Sequence, residues 1–383
     1  FQAEDGIRDR SPSRGLGDVY KRQAGKVRNY EKFTVPEILG DRFGQSARII
    51  SVFALVIAYM VIVSYQYNAG GAVLSTILTD DQGQSLISVE TGTIIAAVFI
   101  VLYTMLAGLV SVAYTDVANG IIILLSFIIA IPIFLYEAGG FSGMATSFAL
   151  MGKPDHMDFW GVYSTLDIIN FCLPPFLLIM GDANMYQRFF ASKDAEGAKS
   201  ATKVLIIAVA LAELMIITAA WISSSMIPDA EVGKYVLIYA SHKFLPTFIG
   251  AIMMTTIVGI IISTADSFLL VPATTLMRDI YLNYIDPKAN EKKIVLLSRV
   301  LVLILGIIAY IVSLGFARSA GFFERALYAY TIYGASITPS LVAALFWKGA
   351  TKAGAVSSIV TGAVVTLLWK EAGFIQDLSL IHI

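Results

Sequence analysis

Nine stretches of this chain are apolar over about the length a helix needs to cross a bilayer, roughly 20 residues. They lie at about 47–78, 89–112, 117–137, 165–187, 203–227, 246–274, 297–316, 324–347 and 353–371. This pattern leaves few folds open. In hydrocarbon every backbone N–H and C=O must be satisfied within the protein, so only helices and closed barrels span. Barrel strands read as short alternating segments, whereas these runs are continuous. The first and sixth are long enough to include an extramembrane turn or a strong tilt. The expected fold class is an all-α polytopic membrane protein with about nine transmembrane helices. Composition agrees: 14% of residues are charged, against about 25% in soluble domains.

The lipid bilayer is therefore one partner. A net charge of −1 and the lack of a long basic block argue against nucleic acid. The single cysteine, Cys172, cannot form an intramolecular disulfide, and His156, His242 and His382 are scattered. Residues 1–23 are polar, rich in Arg, Asp and Gly, and lack both periodicity and the apolar region of a signal peptide. They resemble translated sequencing-adapter read-through, as do residues 378–383. Both ends are expected to be non-native, leaving 24–377 as one membrane domain incomplete at both ends.

Lys and Arg in the loops set the orientation. One side collects Lys26, Arg28, Lys32, Arg42 and Arg48, then Arg188, Lys193, Lys199 and Lys203. It continues with Arg278, Lys288, Lys292, Lys293 and Arg299, and ends with Lys348 and Lys352. The opposite side has only Lys153, Lys234, Lys243, Arg318, Arg325 and Lys370. The basic side, which includes residue 24, is expected in the cytoplasm, as for a multi-pass protein of the bacterial inner membrane. In the outer loop 228–245, Tyr235–Ala240 is expected to form a short helix, either a lid or simple interfacial packing.

Ionisable groups in membrane helices cost at least about 2.5 kcal/mol on insertion scales and usually line a pathway or meet a partner. Four stand out: Asp116, Asp182, Glu213 and Asp266. Asp266 sits within Ser263-Thr264-Ala265-Asp266-Ser267, whose hydroxyls fall on one helix face. Several oxygens beside a carboxylate suit a small hard cation; alternatively each hydroxyl bonds back to its own helix. Asp116, at the start of the third run, reads by position as a helix cap. The fourth run carries Pro174, Pro175, Gly181 and Asp182. Pro and Gly interruptions point to unwound backbone lining a transporter's binding site, or to a kinked structural helix. Glu213 has no cation near it in sequence and could bind substrate, carry a proton or pair elsewhere.

Five stretches resemble, in order, the sodium/solute symporter family, which includes proline permease, pantothenate permease and the sodium/glucose cotransporters. Residues 33–44 resemble its T-x-P-E-x-L-x-x-R-F-G loop. Residues 107–116 with Asn119 resemble G-G-x-x-A-V-x-W-T-D-x-x-Q, departing at Ala107, Ser111, Tyr114 and Asn119. Residues 186–194 with Ala198 resemble Q-R-x-x-A-A-K-S-x-x-x-A. Residues 263–270 with Asp279 and Tyr281 resemble the S-T-x-D-S-x-L-L helix and its D-x-Y end. Leu345–Lys348 with Gly354 and Ala355 support the register.

The resemblance implies a leucine-transporter-like core of two inverted five-helix repeats, with the first two core helices preceding residue 24. It implies a secondary active transporter coupling Na⁺ to a small organic solute (amino acid, sugar, carboxylate or similar), and no enzyme. In the family, hydroxyls matching Ser263 and Thr264 complete a sodium site, and the carboxylate matching Asp116 serves a second sodium site or the inward ion path. Asp266 and Ser267 join this candidate sodium set, while Pro175, Gly181, Asp182 and Glu213 are the candidate substrate-lining residues. The alternative from another class is a membrane sensor module of a symporter-like signalling kinase. An intramembrane aspartyl protease would need Asp182 and Asp266 to face one another.

Overall fold

The computed structural model describes residues 32–79, 84–159, 161, 163–228, 235–316 and 322–371. Both expected non-native ends, 1–23 and 378–383, lie outside them. Among the described residues nine helices are long and apolar enough to cross a membrane, and no strand is present beyond one isolated Thr79–Ser85 bridge.

Helix α1 (Val35–Phe43) is short and starts on Thr34, whose hydroxyl accepts from the Glu37 N–H at 3.1 Å. Glu37 reciprocates by accepting from the Phe33 N–H at 3.1 Å. The T-x-P-E motif is thus a helix start, with Pro36 in the first turn, where a missing N–H costs nothing. Helix α2 (Gln45–Ile77) follows at once. Ala58, Tyr59, Ile62, Val63 and Tyr67 lie on several of its faces and are all fully buried. From Ala58 to Tyr65 every residue is buried, so this stretch is enclosed all round, as in a bundle's central element.

Helical backbone then runs from Val89 to Glu137 as α3. A straight helix of that length would extend about 70 Å at 1.5 Å per residue, more than twice the bilayer core. It turns back instead. Ala96 packs against Gly70 beside Ile261, while Asn119 lies against Gly259. Residues 23 apart on α3 therefore meet positions two apart on one partner helix. Tyr103 also reaches Thr115 with a 3.2 Å hydrogen bond. The limbs are α3a (Val89–Leu106) and α3b (Val112–Glu137). The second limb begins earlier than the sequence suggested, so Asp116 lies in its second turn and is not a cap.

Beyond α3b, α4 (Gly140–Leu150) and a short 3₁₀ turn (Pro154–Met157) fold over the end opposite the basic loops. Helix α5 (Thr165–Gly181) opens with a Ser164/Asp167 capping box. It is followed by α6 (Ala183–Ala191), α7 (Ala195–Met226), α8 (Val236–Phe244) and α9 (Thr247–Thr275). Helix α9 continues as a π-helical segment, Leu276–Ile285. The last three helices are α10 (Glu291–Phe316), α11 (Phe322–Phe346) and α12 (Lys352–Glu371). The short helix expected over Tyr235–Ala240 is α8. Its Ala240 joins Phe134, Phe148, Ile222 and Met253 in a compact apolar cluster.

Burial separates inside from outside. The apolar windows of α2 and α11 are 61% and 67% buried, that of α7 only 11%. On α7 the exposed residues Val204, Ile207, Leu211, Leu214 and Ile217 recur at helical spacing. Such a stripe is unfavourable in water and at home in lipid.

Candidate functional site

The polar residues of the apolar runs converge where α3b, α6 and α9 meet. Asp116 Oδ1 accepts a hydrogen bond from Ser263 Oγ on α9. Its Oδ2 accepts from Arg188 Nη2 on α6 at 2.5 Å. The same nitrogen lies 3.3 Å from Ser267 Oγ, and Arg188 Nη1 reaches Asn184 Oδ1. One guanidinium fork thereby ties three helices. The pair is only part-buried, with side-chain exposures of 31% and 23%, so a small ion can reach it.

Asp266 sits one residue before Ser267 and is 1% exposed. Neither carboxylate oxygen meets a donor in full hydrogen-bond geometry among the described residues, although the N–H and hydroxyl of Ser267 lie close enough to interact with the group. A buried ionised carboxylate so short of donors is costly, so the group takes a proton or a cation. With both carboxylates ionised against one guanidinium, the cluster carries one surplus negative charge, which a monovalent cation balances. All the oxygens are hard donors. The Thr264 hydroxyl donates to the Ile260 carbonyl at 2.8 Å, bonding back to its own helix while its lone pairs stay free.

The second group surrounds a break in a membrane helix. The paired prolines do not make it: Pro174 and Pro175 lie inside continuous α5, and the chain breaks after them, at Gly181–Asp182. Asp182 starts α6, accepting from the Asn184 N–H at 3.2 Å and from the Tyr59 hydroxyl of α2. Tyr333 on α11 donates to the Gly181 carbonyl at 2.7 Å and accepts from the Ala183 N–H at 3.2 Å. Thr338 donates to the Leu177 carbonyl at 2.7 Å. Only a glycine fits at 181, because a Cβ there would lie 2.3 Å from Thr338 Oγ1. The Asp182 carboxylate thus meets Tyr59, whereas Asp266 has no such partner.

Tyr59→Phe tests this stitching. It removes one donor from the buried Asp182 carboxylate and leaves the ring in place. We expect a stability loss of about 1–3 kcal/mol, read as a lower melting temperature of the purified protein, with no change in its oligomeric state.

The structure therefore joins Asp116, Ser263 and Ser267 through Arg188, with Asp266 and Thr264 on the same helix segment. Pro175 is half-buried in α5. Glu213 is exposed on α7, within electrostatic reach of Tyr330, whose hydroxyl is 3.2 Å from that of Tyr65. Sequence reasoning overlooked Arg188, Asn184, Tyr59, Tyr333 and Thr338. Arg188 carried a signal, standing in the Q-R motif directly after an apolar run, but it was counted with the loop cations. Tyr59 is one phenol in a long apolar run and gave none.

The sodium:solute symporter family model matches residues 19–362. The osmoregulated proline transporter OpuE of Bacillus subtilis is 25% identical over 363 residues, covering 92% of this chain and 71% of that protein. The high-affinity proline transporter PutP of Bacillus subtilis is 26% identical over 362 residues, 91% of this chain and 74% of that one. A sodium/proline symporter of Haemophilus influenzae is 25% identical, covering 91% and 71%. Among solved structures, a Na⁺-coupled sialic acid symporter in a substrate-bound outward-open state superposes with a TM-score of 0.66 at 14% identity. That match covers 92% of this chain and 83% of the other, and it shows the shared fold.

Proposed function

The chain belongs to the sodium:solute symporter family, and on that premise we propose that it carries a small organic solute across the bacterial inner membrane together with Na⁺, by alternating access. It is a transporter and no enzyme. The proposed solute class is an amino acid of the proline type, which the names of its relatives support. The proposed orientation places the Lys- and Arg-rich end in the cytoplasm.

One observation carries the assignment of the ion: two carboxylates, one guanidinium and three hydroxyls gathered on α3b, α6 and α9. Na⁺ is assigned to Ser263 and Thr264, with Asp116, Ser267 and Asp266 on its path toward the cytoplasm. An entering cation competes with Arg188 for Asp116 and frees Ser263 from its carboxylate. This loosens α9 from α3b and α6 in one state and not the other. Such differential binding is what an ion needs to shift a conformational equilibrium. A charge moving through about 100 mV contributes about 2.3 kcal/mol, enough to concentrate a solute. The substrate is assigned to the α5/α6 break at Gly181–Asp182, with Pro175 on one flank and Glu213 of α7 as a further candidate. Tyr333 and Tyr59 hold the freed backbone there.

The test is uptake of radiolabelled proline, then other amino acids, into proteoliposomes holding the purified protein. An inward Na⁺ gradient is expected to drive accumulation that an equal K⁺ gradient does not. Replacing Ser263 and Thr264 together with Ala is expected to remove most of that difference. Sodium dependence unchanged in the double variant refutes the assignment.

A further inference from the structure

Two crevices lie end to end along one seam. The first, of about 550 Å³, lies toward the basic end between α3a, α6, α9 and α10. Thr104, Met105, Leu270, Val295 and Val302 give it apolar walls, and Arg278 and Arg299 border it. The second, of about 360 Å³, continues up the same pair of helices between Val98, Val101 and Leu102 of α3a and Leu303, Gly306 and Tyr310 of α10.

The two arginines are placed for an anion. Arg299 lies two turns into α10, on the basic end of the helix that also carries Lys292 and Lys293. An arginine at the headgroup level attracts an anionic lipid phosphate. Arg278 stacks its guanidinium 3.8 Å from the Phe33 ring centroid, which fixes its plane and leaves its N–H edge free. Both side chains are exposed, and neither forms an ion pair among the described residues. The nearby carboxylates are taken: Asp279 pairs with Arg48 at 2.6 Å, and Asp286 with Lys293 at 2.8 Å. From Arg299 to Tyr310 the helix rises about 16 Å, close to the depth of one leaflet of a ~30 Å core.

We propose that the seam between α3a and α10 holds one anionic phospholipid of the cytoplasmic leaflet, its phosphate against Arg278 and Arg299 and an acyl chain along the upper crevice. The choice of leaflet rests on the orientation proposed above; the site itself does not depend on the transported solute. Charge selects a phosphate and the length of the apolar seam selects an acyl chain, so a lipid fits where a free anion satisfies only the mouth. Bound there, it bridges α9 to α10.

Native mass spectrometry of the intact protein, released from nanodiscs of equal parts dioleoyl-phosphatidylglycerol and dioleoyl-phosphatidylcholine, tests this. The wild type is expected to retain phosphatidylglycerol preferentially. Arg278→Gln with Arg299→Gln is expected to lower that preference about thirtyfold, at roughly one surface lysine or arginine contact each. Arg278→Lys with Arg299→Lys is expected to keep most of it. Should the double Gln variant fail to fold, Arg299→Gln alone, on an exposed side chain, is expected to lose about fivefold. A preference unchanged in the Gln variants, or absent from the wild type, overturns the proposal. So does complete displacement of the lipid by excess inorganic phosphate, which would make the mouth a simple anion site.

Discussion

Asp116→Ala is expected to abolish sodium-driven uptake, lowering it about a hundredfold. The carboxylate is the common acceptor for Ser263 and Arg188. Its removal strands a guanidinium among Ser267, Asn184 and the buried Asp266. Breaking a buried ion pair from one side costs about 3 kcal/mol at the low end of the usual range, and the partial exposure here argues for that low end. Losing a charged ligand from the ion is expected to weaken sodium binding by a similar energy, about two decades at 1.4 kcal/mol per decade. A companion variant separates structure from ion binding. Asp116→Ala combined with Arg188→Met removes both charges, so folding and expression should recover while sodium coupling does not. If uptake recovers with the double variant, Asp116 serves only to neutralise Arg188 and is no sodium ligand.

The second large effect falls on a helix crossing toward the end of the bundle opposite the basic loops. Gly71 of α2 and Gly92 of α3a meet backbone to backbone. A Cβ at Gly71 would lie 2.3 Å from Thr93 Oγ1, 2.6 Å from the Thr93 nitrogen and 2.6 Å from the Val89 carbonyl oxygen. One at Gly92 would lie 2.6 Å from the Gly71 carbonyl oxygen. Side chains rotate away from a clash; main chain does not. Close crossings of this kind are how membrane helices gain packing energy, since lipid offers no hydrophobic drive between them. Gly71→Val is therefore expected to cost about 3 kcal/mol, the upper end for overpacking, and to remove most of the monodisperse protein on fluorescence-detected size-exclusion chromatography. Gly120→Ala is the control. A Cβ at Gly120 has nothing within 4 Å, and Ala in place of a helical Gly should be neutral or stabilising by up to about 1 kcal/mol. Equal behaviour of the two variants would show that the α2–α3a crossing is looser than described.

The parts of this fold legible in the sequence are those set by solvent. Length and continuity of the apolar runs fix the spans because lipid leaves the backbone no other way to satisfy itself. The turn at the middle of α3 was expected, but its place was not. Residues 107–116 are small and apolar enough to extend either limb, and the position of Asn119 against Gly259 decides between them. The break in the fourth run was read from its prolines as well as from Gly181 and Asp182, and only the second pair makes it. Proline removes a single hydrogen bond, which a helix absorbs as a kink, while Gly181–Asp182 is held open by Tyr59, Tyr333 and Thr338 from helices more than 100 residues away in sequence. The partner of Asp116 was hidden because Arg188 reads as a loop cation when only its own neighbours are in view. Family motifs carried more than their spacing disclosed: Thr34 and Glu37 make a helix cap, Arg188 meets Asp116, and Asp279 pairs with Arg48.

The central claim is that this cluster binds the coupling ion, and equilibrium binding of radioactive sodium to the purified protein tests it without reference to any solute. The wild type is predicted to bind sodium saturably. Ser263→Ala with Thr264→Ala, and Asp116→Asn separately, are each predicted to weaken that binding at least tenfold while melting remains cooperative. Sodium binding of wild-type strength in both variants would contradict the account and move the ion elsewhere in the protein.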